Sequence, residues 1–307
     1  MVGLDVRQTN FSCLEGESGW LFINDIDDVM EKNAGEVTLS GADLRHWRMT
    51  LELREAWVER QGGRYRFLMA PNKISVYGEH LPNVVASSAR PWSSLARYMA
   101  ATSSFEIIDP TYVLKSHKST RDVYFKTDEH WNDYGAWLAY RQLMQSLPDE
   151  LCLHLVQEND LKLRYRTFIG GLAAVLPEPP SEDVIRYDVS NPCAGMVFEN
   201  KAKGRGKVQV FENRRRDLPR AVLFRDSFGS FMLPFLAESF TRLVVVSARG
   251  LLFDLVEMEM PDVVITEMVE RYLDPAPDDI RWPTFAEACR VPLEVVAEQT
   301  ACRAVAA

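Results

Sequence analysis

Three short apolar runs near the carboxyl terminus, at 221–224, 243–246 and 261–266, constrain this chain more than any other feature. Apolar runs of this length without polar alternation suit strands buried on both faces. Crossovers of roughly 15 to 20 residues separate them, and two parallel strands joined by so long a link make a right-handed βαβ unit. The region therefore predicts a βαβαβ unit. The breaks after its strands are Arg225-Asp226-Ser227-Phe228-Gly229, Ser247-Ala248-Arg249-Gly250 and the segment beginning at Glu267.

The first half repeats the alternation. Ser40 with Asp43 three residues on forms a capping box for a helix carrying Leu44, Trp47, Leu51 and Val58 on one face, and Gly62-Gly63 ends it. Residues 65–70 read as a buried strand, 91–101 as a helix, and 105–108 as a short strand closed by Asp109-Pro110. Asp133 is placed to cap a helix with Trp137, Tyr140, Met144 and Leu147 at helical spacing, and Pro148 stops it. Alternating strands and helices give the α/β class, with a parallel sheet and helices on both faces. Residues 149–219 change character. Gly170-Gly171, Pro177, Pro179-Pro180 and Asn191-Pro192 break up short apolar runs, so this stretch reads as a β-rich or irregular insertion within one domain spanning 1–307. Arg214-Arg215-Arg216 reads as a solvated loop, with contact to an anionic substrate as the lesser alternative.

Composition excludes several classes. A net charge of −9 gives no basic footprint for nucleic acid. No apolar run approaches the roughly 18–20 residues of a membrane span. Asp5 interrupts the apolar region that a signal peptide requires, so the chain as given is expected to be cytoplasmic. Five cysteines, at 13, 152, 193, 289 and 302, are odd in number and lack any CxxC pair, which speaks against a disulfide framework and against zinc. No metal or cofactor is expected.

The densest chemistry lies at 124–137, YFKTDEHWNDYGAW. Of the five histidines, only His130 has a carboxylate two residues back in a loop. Asp128 there can accept from Nδ1, fix the tautomer and leave Nε2 free as a base. Its partner is Ser227, at the carboxyl end of the 221–224 strand, where parallel sheets collect functional groups. A serine at a helix start is more often a simple cap. Joined to one Asp-x-His loop it makes a Ser227–His130–Asp128 triad, with Ser227 Oγ and His130 Nε2 expected within about 2.6–3.5 Å.

These motifs, taken in order, resemble the alginate O-acetyltransferases and relatives, which carry an SGNH-hydrolase-like domain. The resemblance covers roughly 16–273 and rests on five ordered blocks. They are Gly19-Trp20-Leu21-Phe22; Ala70-Pro71-Asn72-Lys73 with Tyr77, Leu81 and Pro82; Lys126-Thr127-Asp128-Glu129-His130-Trp131 with Gly135-Ala136; Asp226-Ser227-Phe228; and Pro261-Asp262-Val263-Val264 through Glu270-Arg271-Tyr272-Leu273. In ordinary SGNH hydrolases the serine block comes first and the Asp–His pair near the end; here the order is reversed, as in that family's circular permutation. The resemblance implies a permuted flavodoxin-like sheet holding the strands at 65–70, 105–108, 221–224, 243–246 and 261–266. It maps Gly250 to a backbone N–H donor and Glu267 near the place of a missing asparagine. Arg225 stands where a glycine is usual, as a cationic substitute for the lost oxyanion donor.

The function so implied is a serine-dependent O-acetyltransferase, or acetylesterase, working through an acetyl-Ser227 intermediate on polysaccharide hydroxyls in exopolysaccharide biosynthesis. The substrate-side residues are Arg225 and Gly250, with the aromatics Trp131, Tyr134 and Trp20 placed either to stack on sugar rings or to pack in the core. The acetyl donor is unspecified, and no phosphate-binding glycine loop suggests coenzyme A. The alternative is a catalytically idle carbohydrate-binding or scaffolding protein on the same fold. The resemblance also gives a periplasmic alternative to the cytoplasmic location.

Overall fold

The computed structural model describes residues 12–81, 84–151, 153–281 and 283–297. Asp5, Pro82, Cys152 and Cys302, named above, lie outside the described residues. The strands are β1 (Cys13–Glu15), β2 (Leu21–Ile23), β3 (Arg64–Ala70), β4 (Leu161–Phe168), β5 (Glu182–Val189), β6 (Ala194–Glu199), β7 (Val208–Asn213), β8 (Arg220–Phe224), β9 (Arg242–Val246) and β10 (Val263–Val269). Six of them form a central sheet in the order β3-β10-β8-β9-β7-β6. The first four run parallel; β7 pairs antiparallel with β9, and β6 antiparallel with β7.

The strand expected at 105–108 shrinks to one parallel bridge, Ile108 to Leu68, flanking β3. Its backbone makes two bonds of 2.9 Å, Ile108 N–H to Phe67 O and Met69 N–H to Ile108 O. It goes no further because Asp109 turns the chain, accepting from Thr111 N–H, and Pro110 has no N–H to give the sheet. Counted from β8 in a rotated chain, the parallel elements are β8, β9, β10, β3 and the 108 bridge. Their spatial order is then 2-1-3-4-5, the flavodoxin-like arrangement. β8 sits at its topological switch point, between β9 and β10, and ligands bind in the crevice outside such a strand's carboxyl end.

Alternate residues of each central strand face opposite layers. Val222, Phe224, Val244, Val246 and Val264 meet Trp47, Leu51 and Val58 of the helix Gly41–Arg60, with Leu95 and Leu255 from two further helices. Ala221, Leu223, Leu243, Val245 and Ile265 meet Trp137 and Tyr140 of the helix Asp133–Gln145 and Phe235 of the helix Leu233–Ser239. Both faces are covered, which is why these strands read as unbroken apolar runs. The capping box forms as read: Ser40 Oγ accepts from Asp43 N–H and the Asp43 carboxylate accepts from Ser40 N–H.

One cap differs. Asn132, not Asp133, caps the helix Asp133–Gln145 by accepting from Gly135 N–H at 3.0 Å. Asp133 is drawn away by distant partners, accepting from Arg186 Nε at 2.7 Å and Tyr187 N–H at 2.8 Å. The stretch 149–219 is β-rich, and its two halves do different things. β4 and β5 form a separate antiparallel pair, whereas β6 and β7 widen the central sheet. Among the described residues no helix is long and apolar enough to cross a membrane.

Candidate active site

The loop between Tyr124 and Trp131 is closed by an antiparallel bridge between those two residues, with Phe125 N–H donating to His130 O at 3.2 Å. That closure turns Asp128 and His130 to the same side. His130 Nδ1 lies 2.6 Å from Asp128 Oδ1, and His130 Nε2 lies 2.7 Å from Ser227 Oγ, 97 residues along the chain. The Asp128 carboxylate at Nδ1 assigns the proton there, so Nε2 presents its lone pair to the serine. Burial alone would raise the Asp128 carboxyl. The His130 hydrogen bond and charge, with the N–H groups of Gly171 and His130, hold it instead well below the usual range. Asp128 is thus an anion fixed on the imidazole.

The Asp–His loop is held from below and from the side. Lys73, fully buried, donates through Nζ to three carbonyl oxygens: Leu21 at 2.5 Å, Lys126 at 2.9 Å and Asp128 at 2.8 Å. Glu182, at the start of β5, accepts from Lys126 N–H, Thr127 N–H and Thr127 Oγ1. Gly171 N–H reaches Asp128 Oδ2 at 2.7 Å, and a Cβ on Gly170 would stand 2.3 Å from Thr127 O. Only a glycine lets the backbone come this close. The 149–219 stretch therefore shapes the site. Its signal in the sequence was Gly170-Gly171, which reads as a loop break until its neighbour is known.

Ser227 sits on a turn, exposed, just past the end of β8. Asp226 does not join the triad; its carboxylate accepts from Phe228 N–H at 2.9 Å and Val269 N–H at 2.7 Å, tying the turn to β10. Glu267 does the same from beneath, accepting from Asp226 N–H at 3.2 Å and Gly229 N–H at 2.9 Å. Burial and then the Asp226 charge push the Glu267 carboxyl well above its ordinary range. A raised folded-state value means the folded chain keeps a proton that the unfolded chain loses. Stability is therefore full at acid pH and falls as pH rises from the ordinary glutamate range towards the raised value. Every tenfold by which folding tightens the hold on that proton is lost as about 1.4 kcal/mol once both states are deprotonated. Glu267→Gln keeps an acceptor for the turn and removes the titration. Urea midpoints across pH should therefore decline in the wild type, relative to the variant, as pH rises above that range; parallel curves would remove Glu267 as the source.

The expected aromatics do not face the site. Trp131 is fully buried, donating Nε1–H to Phe228 O at 2.9 Å, so it braces the serine turn. Tyr134 is 8% exposed and stacks on Trp137 and Tyr187, and Trp20 stacks on Tyr77 in the core. Tyr134 is carried on the helix Asp133–Gln145, whereas Trp131 and Trp20 lie outside any helix, and all three pack into the core. The rings at the mouth are Phe231, with its centroid 5.5 Å from that of His130, and Phe168, packed against Phe125. Arg225 lies beside Ser227, mostly buried, with Nη1 donating to Asp226 O. Gly250, mapped to a backbone N–H donor, is buried and lies outside the lining of the cavity beside Ser227, to which its neighbours Ser247, Ala248 and Arg249 contribute.

Two cavities open here. One, of about 490 Å³, runs between the β4–β5 pair and residues 230–235, lined by Arg164, Arg166, Phe168, Arg186 and Phe231 among others. The other, of about 230 Å³, includes Ser227 in its wall together with Arg205, Arg225 and Arg249.

Residues 13–248 match the family described as "SGNH hydrolase-like domain, acetyltransferase AlgX". A probable alginate O-acetylase AlgJ of Pseudomonas syringae pv. tomato is 24% identical over 240 residues, 73% of this chain, and the chain spans 61% of that relative's length. Among solved structures, Bacillus cereus PatB1 superposes with a TM-score of 0.67 at 17% identity, over 89% of this chain and 100% of that one. The O-acetyltransferase domain of Pseudomonas putida AlgJ gives 0.54 at 16% identity, over 91% and 99%. Identities this low establish the shared fold, and the family match covers most of the sequence. The chain belongs to the family of SGNH hydrolase-like domains typified by the acetyltransferase AlgX.

Proposed function

We propose that the chain is a serine-dependent O-acetyltransferase acting on polysaccharide hydroxyls, with Ser227 as nucleophile, His130 as base and Asp128 as the residue that orients it. The observation that carries this reading is the unbroken hydrogen-bond chain from Asp128 Oδ1 through the imidazole to Ser227 Oγ. A hydroxyl is a poor nucleophile until a positioned base takes its proton. His130 takes it as Oγ attacks the acetyl carbonyl, and returns it to the departing group. The acetyl-enzyme then yields to a sugar hydroxyl, or to water, deprotonated by the same nitrogen. The tetrahedral oxygen would be met by the Ser227 N–H, which donates to no acceptor among the described residues, and by the Arg225 charge.

The acceptor fits the larger cavity, where Phe231 and Phe168 offer apolar faces beside charged hydrogen-bonding groups. The relative named a probable alginate O-acetylase supports a polysaccharide acceptor. Family membership favours the periplasmic alternative over the cytoplasmic expectation, because a polysaccharide acceptor of this kind lies outside the cytoplasm.

Peptide mapping by mass spectrometry after incubation with an activated acetyl ester tests the intermediate. Acetyl is expected on Ser227, lost faster when polysaccharide is added. Loss to water alone would make the chain an esterase. A wild type that is never acetylated, yet binds polymer as well as Ser227→Ala does, would return the scaffold reading.

A further inference from the structure

The smaller cavity holds more positive charge than the acyl-transfer chemistry above uses, which calls on Arg225 alone. In a chain of net charge −9, three guanidinium groups, those of Arg205, Arg225 and Arg249, line one space of about 230 Å³ together with Ser227. Among the described residues, none of them has a carboxylate at hydrogen-bonding distance. Arg225 is 8% exposed, and its Nη groups donate to neutral oxygens, Asp226 O at 3.0 Å and Gln209 Oε1 at 3.1 Å. Its Nε is buried with no partner among the described residues. Arg249 stands over Tyr272, its guanidinium carbon 3.6 Å from the ring centroid, and its carboxylate partner, Asp274, is 3.9 Å away. Arg205 is exposed and forms no ion pair among the described residues.

The acids nearby are already engaged. Both Asp226 oxygens accept backbone N–H groups, and the Glu267 Oε2 accepts two. Of the three only Arg225 is buried. The acids whose charge reaches it, Glu267, Asp226 and Glu199, make their hydrogen bonds elsewhere, Glu199 with Lys207 at 2.8 Å. A buried guanidinium without a directly bonded counter-charge is costly. With Arg249 and the exposed Arg205 lining the same cavity, the site suits an anion, since the planar fork matches phosphate oxygens in pairs. Its wall includes the nucleophile, so the anion it receives must stand next to the reacting carbonyl.

We propose that this cavity binds the anionic leaving group of the acyl donor, and that the donor is an acyl phosphate. The proposal rests on Ser227 being the nucleophile. Ser227 Oγ forms a bond to the acyl carbon and the carbon–oxygen bond to phosphate breaks. The serine proton passes to His130 Nε2 and then to the departing oxygen, leaving acetyl-serine and hydrogen phosphate. The three arginines stabilise the charge that collects on that oxygen as the bond breaks. Acyl acceptor and leaving group then occupy different cavities, of which the smaller has Ser227 in its wall and the larger is lined by Ser230 and Phe231 just beyond it.

The test separates the anion site from the chemistry. Inorganic phosphate is titrated calorimetrically into Ser227→Ala, which cannot react, and into the same variant carrying Arg205→Ala or Arg249→Ala. Saturable one-to-one binding is expected, weakened about tenfold to a hundredfold by each arginine removed, the loss typical of a charged hydrogen bond. It should also weaken as salt is raised. In parallel, acetylation of Ser227 is followed with acetyl phosphate and with 4-nitrophenyl acetate in the Ser227-containing proteins. The arginine variants should lower the ratio of the acetyl phosphate rate to the ester rate by a similar factor. Absence of phosphate binding, or binding and rate ratios indifferent to both arginines, overturns the proposal even if the ester acetylates Ser227. Arginine-dependent phosphate binding with no acetylation by either donor would sink the acyl-enzyme reading instead, and with it the assignment of the anion as a leaving group.

Discussion

Replacing His130 with alanine is expected to slow acetylation of Ser227 by about 10³-fold or more. The geometry requires a loss of that size, because Nε2 at 2.7 Å is the one titratable side chain bonded to Ser227 Oγ among the described residues. Asp226, next in sequence, has both oxygens turned to backbone N–H groups and cannot take over. Asp128→Asn should also cost a large factor. An amide at that place can donate to Nδ1 and so shift the ring proton to Nε2, the wrong tautomer for a base. Stopped-flow acylation by an activated acetyl ester, with thermal melts to establish folding, reads both. A folded His130→Ala that acetylates Ser227 at the wild-type rate would dismiss the triad.

Much of this architecture was legible because burial imposes it. Val222 to Phe224, Leu243 to Val246 and Val263 to Thr266 are covered on both faces, so their apolar runs leave little choice of element or of parallel pairing. The hydrogen-bonded cluster of Asp128, His130 and Ser227 was legible for a different reason. Asp-x-His and a serine after a strand are each weak signals, but a parallel sheet has one carboxyl edge, and both motifs had to map to it. The order β8, β9, β10, β3 carried them there.

What the sequence hid depends on partners far along the chain. β6 and β7 lie in a stretch broken by turns, and nothing local says that Val208 and Val210 extend the central sheet beside β9. Asn132 and Asp133 are equally good caps in isolation; Arg186 and Tyr187, over fifty residues away, decide between them. Trp131 and Tyr134 looked available to a sugar because they neighbour His130 in sequence. The closed loop and the helix that follows turn both into the core, and the mouth is left to Phe231 and Phe168. Sequence proximity to a candidate histidine says little about which way a ring points.

Lys73→Met is expected to damage both stability and catalysis, and the two losses are separable. Methionine fills a similar volume, so packing against Trp20 and Phe22, each 5.3 Å from Nζ, largely survives. What disappears is the donor shared by Leu21 O, Lys126 O and Asp128 O, and the positive charge beside buried Glu129. Lys126 O retains the Leu21 N–H, but the other two carbonyls lose this partner in the interior. An unpaired buried acceptor costs about 1–3 kcal/mol, and removing one member of a buried charge set about 3–5 kcal/mol. The terms overlap, so a total near 3–5 kcal/mol is expected, or a drop in Tm of roughly 5–10 °C at this chain length. Catalysis should fall further than folding requires. The Asp128 carbonyl is one residue's backbone from the carboxylate that aims His130, and a displacement of about 1 Å there can cost around 10²-fold. Acylation rates measured well below the variant's Tm, where circular dichroism reports a folded chain, isolate that effect. A destabilised Lys73→Met that acetylates Ser227 at full rate would reduce Lys73 to a structural strut; a slow but folded one makes it the residue that positions the loop.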